Sequence, residues 1–247
     1  PAVSEISIPN ECPACGSTLI IEGAFLKCNE LMCDARVSRS ILYWCRALEM
    51  DGIGEKLVEQ LLDSDLISSI AGLYELNQNQ LTSLERMGDK SANNVLRELE
   101  RTKQMTLGKF IHALGLPGIG PELATLFASH VSNLDGLFQW LDSAHAIIGD
   151  EKFGPELNDL GKPHTTNLAI RNLCKHDGIG EKVAIQVRDG LEQRRDLIVQ
   201  LVQYLILNDE PEIASTGSFE GMTFCITGTL SQPRKTIQLM AKNAGGK

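Results

Sequence analysis

One short string returns four times along this chain, each time ahead of an apolar-periodic segment. It reads Asp51-Gly52-Ile53-Gly54-Glu55-Lys56, then Arg86-Met87-Gly88-Asp89-Lys90, then Pro117-Gly118-Ile119-Gly120-Pro121-Glu122, and last Asp177-Gly178-Ile179-Gly180-Glu181-Lys182. Apolar residues at helical spacing follow each copy, over Leu57 to Leu62, Ala92 to Leu99, Leu123 to Ala128 and Val183 to Leu191. Ile41, Leu42, Cys45 and Leu48 keep the same period ahead of the first copy. Internal repetition is the strongest organisational signal here, and it predicts a mainly α-helical domain of hairpins over residues 38–208.

A Gly-x-Gly between two helices permits a tight turn with positive φ and leaves the backbone amides uncovered. The apolar residue between the glycines can plug the turn into its own core. The second helix then starts with unpaired N–H groups at its positive end, where a phosphate oxygen can bind. Lysine stands two residues after the last glycine in three copies (Lys56, Lys90, Lys182), in reach of a charge-assisted contact. Gly52, Gly54, Gly88, Gly118, Gly120, Gly178 and Gly180 are therefore candidate phosphate-facing positions, together with those lysines. The plain alternative is glycine chosen for turn geometry alone; four related turns with a recurrent lysine weigh against it. Such contacts read no base, so binding is expected to be independent of sequence and sensitive to salt.

The copies are unequal. Arg86 replaces the first glycine of the second copy, and Glu122 stands where the others carry lysine, so copies one, two and four are expected to make the main contacts. The first three start at residues 52, 86 and 118, but the fourth starts 60 residues after the third, at 178. An insertion is expected over about 143–172, turn-rich around Gly149, Gly154-Pro155 and Gly161-Lys162-Pro163.

Ahead of the repeats, Cys12-Pro13-Ala14-Cys15 and the pair Cys28 and Cys33 have the spacing of a structural metal site. Zinc bound by thiolates needs two knuckles, each giving two sulfurs from a tight turn. Pro13 and Gly16 suit the first turn; Leu19-Ile20-Ile21 and Phe25-Leu26 read as short strands reversing at Glu22-Gly23. Four protein ligands leave no open coordination position, so the zinc is expected to be structural. Cys45, Cys174 and Cys225 sit beside apolar residues and read as core filler.

A net charge of −9 argues against nonspecific coating of nucleic acid, though localised backbone contacts remain open to an acidic chain. No stretch has the ~18 to 20 apolar residues of a membrane helix, and the N-terminal residues lack the basic-then-apolar pattern of a secretory signal. A cytoplasmic, reducing compartment is the expectation, in which clustered cysteines hold metal.

Together the cysteine knuckles, Leu84-Glu85-Arg86-Met87-Gly88-Asp89-Lys90-Ser91-Ala92 and Phe110-Ile111-His112-Ala113-Leu114-Gly115 resemble the C-terminal half of bacterial NAD-dependent DNA ligases over nearly the whole chain. The resemblance implies a four-cysteine zinc finger (1–37, with the end of a preceding domain), a helix-hairpin-helix DNA-binding domain (38–208), a linker (209–218) and a partial α/β BRCT domain (219–247). Phe219 to Leu230 would form the first BRCT strand and Arg234 to Asn243 the first helix; the segment is far shorter than the usual fold. The implied role is to grip nicked duplex DNA, mainly from the minor-groove side, near the nucleoid, for strand joining in replication and repair. NAD and Mg2+ would serve a separate adenylating domain. Lys175-His176-Asp177-Gly178 spells that domain's Lys-x-Asp-Gly motif, but its Asp-Gly opens the fourth hairpin and the match is read as coincidence. The competing reading is a standalone helix-hairpin-helix adaptor of a repair or recombination complex.

Overall fold

The repeats do form helical hairpins. The computed structural model describes residues 8–30, 33–145, 156–157, 163–164, 167–210, 219, 222–228 and 234–246. The chain divides into two units, Pro1–Asp209 and Glu210–Lys247.

The first unit opens on a ribbon in which β1 (Leu19–Glu22) pairs antiparallel with β2 (Phe25–Cys28), Glu22 opposite Phe25. Helices α1 (Asp34–Ala47) and α2 (Glu55–Asp63) flank the first glycine turn. A 3-10 turn (Ala71–Glu75), α3 (Gln78–Thr82) and α4 (Asp89–Arg101) build the second. The strand β3 (Gln104–Thr106) leads into α5 (Leu107–Ala113), and α6 (Pro121–Val131) completes the third hairpin. After α7 (Leu134–His145) come the two-residue strands β4 (Glu156–Leu157) and β5 (Pro163–His164), then α8 (Leu168–Leu173) and α9 (Glu181–Glu192) around the fourth turn. The unit closes with α10 (Arg195–Leu201) and β6 (Ile206–Asn208). The segment expected as an insertion, about 143–172, takes in the end of α7, the paired strands β4 and β5 and most of α8, and its Gly149, Gly154-Pro155 and Gly161-Lys162 lie outside the described residues.

One apolar core runs through all four hairpins. Trp44 of α1 is fully buried, edge-on to Phe110 of α5 (5.9 Å) and to Tyr74 (6.4 Å), so it links the first hairpin to the third. Its indole N–H donates to Tyr74 Oη (3.1 Å), which lies 3.2 Å from Thr102 Oγ1, and that hydroxyl donates to the Leu99 carbonyl (3.0 Å). This relay satisfies the polar atoms that burial would otherwise penalise. Burial pushes the Tyr74 phenol up to about 12. The strands that follow the second and fourth hairpins pair in parallel, Gln104 opposite Ile206 and Thr106 opposite Asn208, and tie the two halves together.

In the second unit α11 (Arg234–Asn243) forms where a helix was expected. Phe219 N–H donates to the Ala244 carbonyl (2.8 Å), and the Phe219 and Phe224 rings meet at 4.9 Å. Of the strand expected over Phe219 to Leu230, the described residues 222–228 form no strand, and Gly228 takes positive φ (86). A strand needs a neighbour to hydrogen-bond, and the described residues of this unit supply none. Residues 211–218, most of the expected linker, and residues 220–221 and 229–230 lie outside the described set.

Candidate nucleic-acid interface and thiolate cluster

The chain brings Cys12, Cys15, Cys28 and Cys33 together, all four Sγ atoms lying within 4.8 Å of one another. Two of the separations are 3.9 Å (Cys12 to Cys33) and 3.6 Å (Cys15 to Cys28). A tetrahedral ion bonded to sulfur at about 2.3 Å holds its sulfurs about 3.8 Å apart, so the cluster fits a metal ion. The first knuckle closes through Gly16 N–H donating to the Cys12 carbonyl and Cys12 N–H donating to the Ser17 carbonyl, both 2.8 Å. Gly16 sits there at φ 72, a conformation that favours glycine. The β1–β2 ribbon then delivers Cys28, paired with Leu19. Cys33 is the N-cap residue of α1, its carbonyl accepting from Arg36 and Val37 N–H (2.8 and 2.9 Å). The helix that leads into the first hairpin therefore starts on a cluster residue.

The thiols do not share one ionisation behaviour. Hydrogen bonding to the side chain and backbone of Ser17 brings Cys15 down to about 6. Desolvation pushes Cys28 up to about 12 and raises Cys33 as well. Four thiolates this close repel one another; a divalent cation at their centre would remove the conflict and hold all four ionised. The other cysteines divide. Cys45 is buried and fills core, Cys174 is half-buried, and Cys225 is exposed, which corrects its reading as core filler.

All four glycine turns share one backbone. Their first position takes positive φ: Gly52 at 80, Arg86 at 62, Gly118 at 77 and Gly178 at 87. Their middle residue points inward, with Ile53, Ile119 and Ile179 buried and Met87 half-buried. Their third residue, Gly54, Gly88, Gly120 or Gly180, is the N-cap of the following helix, and none of these caps makes a side-chain hydrogen bond. At these caps φ runs from −106 to −85 with ψ close to 180, ordinary extended backbone. The positive φ expected of the Gly-x-Gly strings thus belongs to the first position only. A Cβ at Gly54, Gly88, Gly120 or Gly180 would meet nothing within 4 Å. The fold tolerates a side chain at all four caps, and glycine leaves four helix N-termini bare toward solvent.

Lys56, Lys90 and Lys182 each occupy the second helical position, exposed beside that bare terminus, and none has an ion-pair partner among the described residues. Arg86 stands where the other copies carry their first glycine. It adopts the glycine conformation nonetheless and projects a side chain that is 90% exposed, with Glu85 at 3.4 Å. The departure from the repeat was its only visible signal.

The hairpins pack in pairs. A Cβ at Gly118 would lie 2.9 Å from Gln186 of α9, and one at Gly178 would lie 3.3 Å from Leu123 of α6. His130 of α6 reaches the entry to the fourth turn, with Nδ1 3.0 Å from His176 Nε2. Sixty residues on from that helix position, Gly190 of α9 touches Leu116 at the entry to the third turn. Hairpins three and four thus exchange equivalent contacts. Between hairpins one and two, Arg101 Nη2 donates to the Leu48 and Glu49 carbonyls (3.2 and 2.9 Å).

A family model described as a SAM-like helix-hairpin-helix tandem matches residues 46–101, the first two hairpins. The chain is also similar along 98% of its length to proteins named DNA ligase. Identity is 34% over 245 residues for the one from Methylacidiphilum infernorum, 32% over 249 for Syntrophotalea carbinolica and 32% over 245 for Helicobacter hepaticus. Those alignments cover 32 to 33% of the relatives, so the chain spans about a third of their length.

Proposed function

We propose that this chain is a noncatalytic, DNA-holding portion of an NAD-dependent DNA ligase, gripping the duplex backbone around a nick while an adenylating domain performs the chemistry. The observation that carries this reading is the set of four bare, glycine-capped helix N-termini, three with a lysine at the second helical position that has no ion-pair partner among the described residues. Each can accept a phosphate oxygen on backbone N–H groups, reinforced by the helix dipole. Pairing of the hairpins would set such sites against both strands. Similarity to DNA ligases along 98% of the chain supports the assignment of the duplex as ligand.

The thiolate cluster takes zinc in this reading and acts structurally. It fixes the start of α1, and α1 ends at the first hairpin, so the ion would set that hairpin's approach to DNA. NAD and Mg2+ belong to the adenylating domain. Lys175 is not that domain's nucleophile here: it sits in the turn from α8 into the fourth hairpin, and the adjoining Asp177-Gly178 is the hairpin itself.

Mobility shift with nicked and intact duplexes of one sequence, at two salt concentrations, tests the proposal. Binding at low salt, weakened at high salt and tighter for the nicked duplex, is expected. Equal affinity for both duplexes favours the standalone adaptor, and no binding at low salt leaves only a protein-interaction scaffold. Gly54→Asp separates the hairpin chemistry from the fold. Aspartate caps a helix at least as well as glycine, so the melting temperature should hold or rise. Its carboxylate would occupy the phosphate position, and affinity should fall by about tenfold. Loss of stability and affinity together would point to a purely architectural glycine.

A further inference from the structure

The hairpins leave one strongly charged surface unexplained. Arg36, Arg39, Tyr43 and Arg46 follow one another at helical spacing on α1, opposite its buried face of Ile41, Leu42, Trp44 and Cys45. Arg39 and Arg46 are exposed, Arg36 half-buried, and Tyr43 is 40% exposed between them. Several arginines elsewhere are neutralised locally, Arg101 by Glu98, Arg188 by Asp189 and Arg195 by Asp142 and Glu192, and those that are not, such as Arg97 and Arg194, form no stripe of three on one helix face. The three on α1 have no ion-pair partner among the described residues. On a chain of net charge −9, an unneutralised cationic stripe with an aromatic inside it is the footprint of a polyanion.

Its position says which polyanion. Tyr43 lies against Gly115, where a Cβ would stand 3.0 Å from the ring, and edge-on to His112 at 5.9 Å; both residues lead into the third hairpin. Arg36 lies near enough to Arg194 that its charge, after desolvation, lowers the Arg194 guanidinium. Arg194 in turn closes on the Gly190 carbonyl (3.0 Å), beside Leu116 and Pro117 at that same hairpin. The third hairpin is the copy that carries Glu122 in place of lysine. Positive charge missing from its own helix thus stands on the neighbouring α1. Arg36 and Arg46 are ten residues apart, about 15 Å along a helix. One strand of duplex DNA presents about four phosphates over that distance.

We infer that the Arg36–Arg39–Arg46 face of α1 is a second backbone-binding track, which takes a run of phosphodiesters on the strand entering the third hairpin. The inference rests on the reading of the hairpins as DNA-binding. It is tested by measuring, by fluorescence anisotropy of a labelled duplex, how affinity falls between 50 and 200 mM salt for the full chain and for Arg36→Gln/Arg39→Gln/Arg46→Gln, with Arg188→Gln as an ion-paired control. Each lost phosphate contact removes about 0.9 from the log–log slope, so the triple variant should be shallower by about 2 to 3, and the control unchanged. Arg39→Glu, a single exposed change, should weaken binding on its own. An unchanged slope and affinity in both stripe variants, with Gly54→Asp still impaired, overturns the α1 track and spares the hairpins. Failure of the unaltered chain to bind duplex overturns both.

Discussion

The His130–His176 contact is the most exposed to test of the single-residue features. Two imidazoles 3.0 Å apart share one hydrogen bond, which requires at least one ring nitrogen to remain unprotonated. Desolvation, and then the His176 charge, lower His130 from its ordinary value near 6.5. A histidine held low in the folded state binds its proton more readily unfolded. Its contribution is therefore complete above about 6.5 and is lost as pH falls through the folded value. His112 adds the same sign, since desolvation lowers it and its Nδ1 is buried with no hydrogen-bond partner among the described residues. Melting temperature should thus fall between pH 7 and pH 5, and His130→Gln should flatten the fall without abolishing it. Identical pH profiles for the two proteins in scanning calorimetry would exclude the pair as the source. No sequence pattern announced this contact, because residues 46 apart in the chain meet only once the hairpins have packed.

Elements were more legible than contacts. Helical spacing and glycine placed α2, α4, α6 and α9 within a few residues, because local periodicity and caps decide where a helix runs. The cysteine spacing likewise foretold a cluster, since knuckle geometry is set over three or four residues. Three features escaped. Arg86 kept a glycine conformation at a cost local propensity does not signal. The β3–β6 pair joins residues about a hundred apart and has no sequence signature in three-residue strands. Residues 222–228, expected in a strand, form none among the described residues, because strands, unlike helices, draw their hydrogen bonds from elsewhere in the fold. The ribbon makes the corresponding prediction about the metal. Its short strands expose Ile21 (74%) and Phe25 (77%), so little apolar burial holds it, and an ion bound by the four thiols would do much of that work. If the cluster holds the proposed ion, removing it should unfold the ribbon and leave the helical hairpins, whose core is separate, largely intact. Far-ultraviolet dichroism should change little on chelation while all four thiols become reactive to a colorimetric reagent. Unreactive thiols in metal-free protein would show that the knuckles stand without an ion.

For the molecule as a whole, charge is distributed by function and not by average. The net charge of −9 misleads because it averages an acidic surface with local cationic features: three hairpin lysines, exposed Arg86 and the α1 stripe. An acidic groove of about 430 Å³, lined by Asp34, Glu59, Asp63 and Asp65, lies between the start of α1 and the end of α2, whereas the first glycine turn lies at the opposite end of α2. Duplex would be steered to the hairpin ends and the α1 stripe by attraction and kept out of this groove by repulsion. Grip of this kind stabilises a substrate complex and performs no bond-making step, so the chain alone should neither become adenylylated nor seal a nick. Mixed with the adenylating half of a related ligase, it should restore NAD-dependent sealing of a nicked duplex. Because recruitment would act through DNA affinity, the restored rate should rise steeply as salt is lowered. Gly54→Asp should depress it most at substrate concentrations below saturation, raising KM with little change in kcat. Sealing by the adenylating half that is indifferent to this chain at every salt concentration would refute a ligase role, while leaving duplex binding to be explained by an adaptor.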